Sequence, residues 1–230
     1  MLRNFRWTAS ALLVCALGAG GQCLAGTDED YQSGLKSYRD GDIVGAMPGL
    51  RKAADAGHAK AQVLLAELLD RSEFDEEAVA FYRKAAEQGD PDGMFGYGRM
   101  LAAGEGLKRK DPVEARRWFQ KAAELGHAQA ASVVAQAYLK AELGLTEADR
   151  KSPDALRWVE LAARHDYLPA VDALADAYLT GTGLPVSVDA QRSADYVAQA
   201  NRLRDIDPTK KKKKGRKISV VQPARSGDTP

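Results

Sequence analysis

Apolar residues in the middle of this chain recur at helical spacing, and the pattern itself recurs. Leu65 and Leu69, Tyr97 and Leu101, Val134 and Tyr138, and Leu174 and Tyr178 are pairs one helical turn apart, so each pair shares a face. A small residue follows the first of each pair: Ala66, Gly98, Ala135 or Ala175. Farther along each unit stands an aromatic, Phe81, Trp118, Trp158 or Tyr196. Three residues after the first three of these come Lys84-Ala85-Ala86, Lys121-Ala122-Ala123 and Leu161-Ala162-Ala163. With Lys52-Ala53-Ala54 ahead of them, these stretches start 32, 37 and 40 residues apart. A period of this length marks stacked repeats, in which no unit buries its apolar face alone. The pattern predicts an all-α solenoid of about five helix-turn-helix repeats over residues 26–205, with small residues where the helices of a pair must come close.

The third unit shows the local grammar most fully. Met94 to Leu101 reads as a short helix despite its glycines, and Ala103-Gly104-Glu105-Gly106-Leu107 as a glycine-punctuated turn. Asp111 is suited to the N-cap, Pro112 to the first helical position and Glu114 to a capping box. The helix that follows runs to Leu125 and is stopped by Gly126. Other units depart from this. Arg71-Ser72-Glu73-Phe74 shortens the turn of the second, and the fourth carries the insert Lys140 to Ser152. The first lacks the aromatic and has Pro48 inside its second helix, which suits a distorted cap. The fifth keeps Thr180-Gly181-Thr182-Gly183-Leu184, Asp189 and Tyr196 but loses the terminal alanine pair, which suits a C-terminal cap.

The combination Ala102-Ala103-Gly104-Glu105-Gly106-Leu107, Asp111, Ala115, Trp118 and Lys121-Ala122-Ala123 resembles the Sel-one-like repeat family, a branch of the tetratricopeptide-type α-solenoids. The likeness spans roughly residues 31–203. It implies a right-handed solenoid that serves as a protein-binding scaffold or adaptor: assembly of envelope complexes, restraint of a sensor, or contact with host proteins. It also implies a rival, since a few cysteine-rich relatives are associated with hydrolysis of cell-wall-like antibiotics.

The ends of the chain change the picture. Arg3 and Arg6, the apolar run Thr8 to Leu17 and the small–x–small site Cys23-Leu24-Ala25 read as a secretory leader, residues 1–25, cleaved after Ala25. Gln22 before Cys23 and Val14 before Cys15 do not fit a lipoprotein site, and the apolar run is short for an uncleaved anchor. The protein is therefore expected to be periplasmic or secreted. Cys15 and Cys23 both fall in the leader, so the mature chain has no disulfide, thiol nucleophile or thiolate metal site, unlike the hydrolase-associated relatives. The net charge of +1 divides into +2 for residues 1–25, −8 for 26–207 and +7 for 208–230. Lys210, Lys211, Lys212, Lys213, Lys214, Arg216 and Lys217 make a like-charge block, and 206–230 is expected to be a disordered basic tail. Such a tail suits an anionic membrane surface or an acidic polymer, an intramolecular contact with the acidic body, or mere solubility. An exported protein is not expected to meet nucleic acid.

Catalytic chemistry is sparse. His58 and His127 each sit in Gly-His-Ala after a helix-ending glycine, and His165 lies near the matching turn; all three read as turn residues. His58 and His127 lie two helix-pair layers apart and cannot share a metal, whose nitrogen ligands stand about 2 Å away. Gly104-Glu105-Gly106 and Gly181-Thr182-Gly183 follow no strand and are not phosphate loops. No catalytic residue, cofactor or metal is expected. Trp118 and Trp158, at matched places, read as core. Recognition is expected from variable positions on the first helices: Val63 and Glu67, Phe95 and Arg99, Ser132 and Gln136, Asp172 and Asp176. These would face the concave groove that a helical solenoid presents.

Overall fold

The computed structural model describes residues 18–204, with side chains from Gly26 onward. The predicted leader and basic tail otherwise lie outside these residues. Among the described residues there are ten α-helices and no strand: α1 Gly18–Arg39, α2 Ile43–Asp55, α3 Ala59–Arg71, α4 Asp75–Glu87, α5 Pro91–Ala103, α6 Pro112–Glu124, α7 Ala128–Lys140, α8 Pro153–Arg164, α9 Leu168–Thr180 and α10 Ala190–Leu203. α1 runs through the expected cleavage point. Each helix packs on the next in sequence, and the first helices of neighbouring units also touch, α3 on α5 and α7 on α9. This is the five-unit solenoid that the repeat predicts. No helix of the described residues is long and apolar enough to cross a membrane.

The helices start and stop where the sequence says they should. Asp111 accepts a hydrogen bond from the Glu114 N–H at 3.0 Å, and Pro112 takes the first helical position. Asp42, Asp90, Ser152 and Asp189 cap α2, α5, α8 and α10 in the same way. The glycines at 57, 89 and 126 end α2, α4 and α6 with positive φ, and Asp166 does the same after α8 at φ 57°. Pro48 lies inside an unbroken α2. It is exposed, so its missing N–H leaves unmet only the Val44 carbonyl in the exposed first turn.

Close approach at small residues builds the core. Ala53-Ala54, Ala85-Ala86, Ala122-Ala123 and Ala162-Ala163 are all buried, as are Ala66, Gly98, Ala135 and Ala175 on the first helices. α5 carries this furthest. A β-carbon on Gly96 would lie 2.3 Å from the Tyr82 ring, and one on Gly98 would lie 2.7 Å from the Phe119 ring. In unit one, where the second-helix aromatic is missing, Gly49 sits against the α1 backbone at Asp30 and Gly34 instead. The core forms two bands of buried side chains, both of which pack against Tyr97 and Leu107.

Two expectations need correction. Trp158 is core, 2% exposed, but Trp118 at the matched place is only half-buried. Its ring meets Tyr97 edge-on at 5.5 Å and carries the Lys121 ammonium 3.9 Å above it, while the next residue, Phe119, fills the interior. His165 is not a turn residue of the His58 kind. It caps the C-terminal end of α8, and Tyr167 holds the place before α9 that His58 and His127 hold before α3 and α7. Trp158→Ala is expected to cost about 3–5 kcal/mol and Trp118→Ala about 1–2 kcal/mol. Urea denaturation midpoints of the two variants check this; equal losses would contradict the difference in burial.

Candidate functional site

The first helices, α3, α5, α7 and α9, present the face where the variable positions fall. α5 meets the start of α7 where Phe95 stacks on His127. Two cavities open along this face. One, of about 270 Å³, is lined by Glu67, Asp70, Asp92, Phe95, Arg99 and His127. The other, of about 650 Å³, is lined by Arg99, Phe119, Val133, Gln136, Glu142 and Leu143. Arg99 belongs to both and stands between them. Glu67, Phe95 and Arg99 thus share the smaller cavity, and Arg99 and Gln136 the larger.

The remaining expected residues are placed differently. Val63 is buried and belongs to the core. The Ser132 hydroxyl donates to the Ala128 carbonyl at 3.0 Å, within its own helix. Asp172 forms a salt bridge with Arg204, just past α10. Asp176, one turn further along α9, is exposed and its carboxylate has no salt bridge among the described residues. The lysines and arginine of the 210–217 block lie outside the described residues.

Arg99 Nη2 donates to Asp70 Oδ2 at 2.5 Å, tying α5 to α3. Glu67 is half-buried beside this pair. Burial, foremost, pushes its carboxyl above the usual glutamate range; Arg71 and Arg99 pull it back, while Asp92 and Asp70 add to the upward push. Burial also raises the Tyr82 phenol strongly, with the Glu67 charge adding to it. Phe95 forms an aromatic ledge, stacked on His127 with centroids 4.5 Å apart and tilted against Phe119 at 5.5 Å. Gln136 Oε1 accepts from the Tyr167 hydroxyl at 3.0 Å, which fixes the amide's orientation.

The sequence reading missed the role of His127. Its Nδ1 accepts from the Ala130 N–H at 3.0 Å and so caps α7. In the neutral ring the proton then sits on Nε2, which faces Asp92 Oδ1 at 3.3 Å. The arrangement occurs twice. His58 caps α3 through Nδ1 at 3.2 Å, faces Asp28 at 3.5 Å through Nε2 and stacks on Tyr31 at 4.4 Å. The signal was present as Asp28-x-x-Tyr31 and Asp92-x-x-Phe95, each one helical turn, upstream of a Gly-His-Ala. With both ring nitrogens committed, His127 is an architectural clamp. The site offers an aromatic surface, a guanidinium and several carboxylates, a set suited to holding a polypeptide segment. Among the described residues no group of three or more His, Cys, Asp or Glu is placed to hold a metal ion.

Four consecutive matches to the Sel1 repeat model cover residues 59–90, 91–127, 128–167 and 169–205, more than half of the chain. The chain belongs to the Sel1 repeat family. It is similar in structure to c5321, a protective antigen present in uropathogenic Escherichia coli strains and displaying an SLR fold: TM-score 0.67, 28% identity, over 76% of this chain and 38% of that one. It is also similar to a Sel1 repeat protein from Oxalobacter formigenes, with TM-score 0.61 and 28% identity over 76% of this chain and 72% of that one. The chain thus spans well under half of the E. coli protein. No curated protein matches its sequence. Sel1 repeat solenoids typically serve as protein-interaction scaffolds, so the family and the groove point to the same class of activity.

Glu67 yields a pH prediction. A carboxyl raised in the folded state contributes stability below its unfolded pKa that is lost as pH rises through the folded value. Glu67→Gln removes this dependence. Its urea midpoint is expected to match wild type below about pH 4 and to move above it between about pH 4 and pH 7. A gap that stays constant across this range would contradict the burial of the carboxyl.

Proposed function

We propose that this protein is a non-catalytic scaffold or adaptor of the bacterial cell envelope that holds a partner polypeptide in the groove on its first-helix face. One observation carries the reading: Glu67, Phe95, Arg99 and Gln136 converge on adjoining cavities, on a face where the repeat pattern does not dictate residue identity. Phe95 supplies apolar area and Arg99 a directional charge, and aromatic–arginine pairs are common anchors of protein interfaces. The envelope location rests on the leader-like residues 1–25. Protein from the envelope fraction should therefore begin at Gly26. Intact Met1 on cytoplasmic protein would overturn export.

The binding test compares capture from envelope extract by wild type and by the Phe95→Ala, Arg99→Ala double variant. The variant is expected to bind the captured partner at least about thirty-fold more weakly, a loss of roughly 2 kcal/mol, with unchanged helical circular dichroism. The segregation of seven net positive charges into residues 208–230 favours a second reading, an anionic-surface or polymer binder. Tail-driven binding falls steeply with salt, and groove-driven binding less. Binding that ignores the double variant but disappears on deleting 208–230 would move the function to the tail.

A further inference from the structure

The groove's charge, together with the place where the chain leaves the last helix, says what it is built to receive. Glu67, Glu105 and Glu142, which line the two cavities, and Asp176, exposed on α9 at the register of Arg99 and Gln136, form no salt bridge among the described residues. The cations on this face are few: Arg99 is paired with Asp70 and Arg204 with Asp172, and Arg71 lines the smaller cavity beside Glu67 without a salt bridge among the described residues. The floor between α5 and α7 is apolar, with Phe119, Val133 and Leu143. An unpaired row of carboxylates over an apolar floor fits an extended basic segment whose lysine stems lie on the floor while their ammonium groups meet the carboxylates.

The chain itself contains such a segment. The Arg204–Asp172 salt bridge fixes the end of α10 against α9, at the C-terminal end of the groove. Lys210 and Lys217 stand 7 and 14 residues beyond Leu203. At about 3.3–3.6 Å per extended residue, they reach up to about 25 and 50 Å from it. Packed helices lie about 8–10 Å apart, so α5 is on the order of 20 Å from α9, inside that reach. We propose that the chain's own Lys210–Lys217 segment occupies the groove, running from Asp176 past Glu142 toward Glu67, and that a partner must displace it. This rests on the groove being a binding surface, and it adds regulation: a partner competes with the tail for the groove, and anions or salt that draw the tail away favour the partner.

The test needs no partner, so its failure is distinct from a failure of the scaffold reading. In the full chain, with Cys15→Ser and Cys23→Ser, a nitroxide spin label is attached through Ser219→Cys and amide broadening is mapped by NMR. Broadening is expected on α9, α7 and α5 residues lining the groove, falling by more than half in Glu142→Gln, Asp176→Asn, neither of which supports the core. It should vanish when Lys210–Lys214 are all changed to Glu, and at about 1 M salt, where the screening length falls to about 3 Å. A mixture of labelled unenriched and unlabelled enriched protein should show none. Broadening centred on the acidic turn at Glu73–Glu77, broadening that survives salt, broadening only in the mixed sample, or none at all would each overturn the proposal.

Discussion

How closely two helices can approach at an alanine decides most of this structure. Ala85-Ala86 of α4 meets Gly93 on the first helix of the next unit, where a β-carbon would lie 2.5 Å from the Ala85 methyl, so at that separation there is no room for anything larger. Each methyl contributes little apolar area, so a single pair is poorly stabilised. The larger side chains need cover from a neighbouring helix: Gly96 of the next unit lies against the Tyr82 ring, and Gly98 of the same unit against the Phe119 ring. Val197 stands at the same register in the last unit and is 46% exposed. The stack is therefore cooperative by construction: every unit lends its neighbour a surface.

That constraint also explains where variation is tolerated. Positions where two helices approach closely must be small, and the rings that they admit must be large and apolar. The outer side of the first helix has neither obligation. Gly96 and Gly98 let the Tyr82 and Phe119 rings come directly against α5, and Phe95 and Arg99, interleaved with them, emerge on the free face. The site and the core are two sides of one helix. A substitution at Gly96, which lines the smaller cavity and lies against the Tyr82 ring, would therefore disturb recognition and packing together.

The repeat made the architecture legible, because period, caps and small residues are all local signals. The helix ends at Asp111, Pro112 and Gly126 and the buried alanine pairs follow directly from the sequence. What the repeat could not supply is which neighbour covers a given matched place. Trp118 and Trp158 are equivalent in register, yet a second aromatic, Phe119, takes the interior position in unit three and leaves Trp118 at the edge with Lys121. Val63 was read as groove because its register matches Phe95, but it lies buried in the core. His127 was dismissed because a histidine beside a turn glycine is usually only a turn residue. Its role depends on Asp92 and Phe95 from another helix, a tertiary juxtaposition that no spacing within one unit reveals.

Electrostatics gives the groove its selectivity. A half-buried carboxylate such as Glu67 has lost part of its hydration, and its neighbours Arg71 and Arg99 compensate only partly, which is why its pKa stays high. Arg99 cannot do more, because its guanidinium is held 2.5 Å from Asp70. A cationic group brought into the groove would relieve this residual cost, whereas an anionic one would add to it. Discrimination of this kind acts by penalising the wrong partner as much as by attracting the right one. The Phe95 ledge adds apolar area without regard to sign, so affinity and choice of partner reside in different side chains of the same helix. On the proposed reading, such a groove holds a basic segment loosely and exchanges it for another of the same charge.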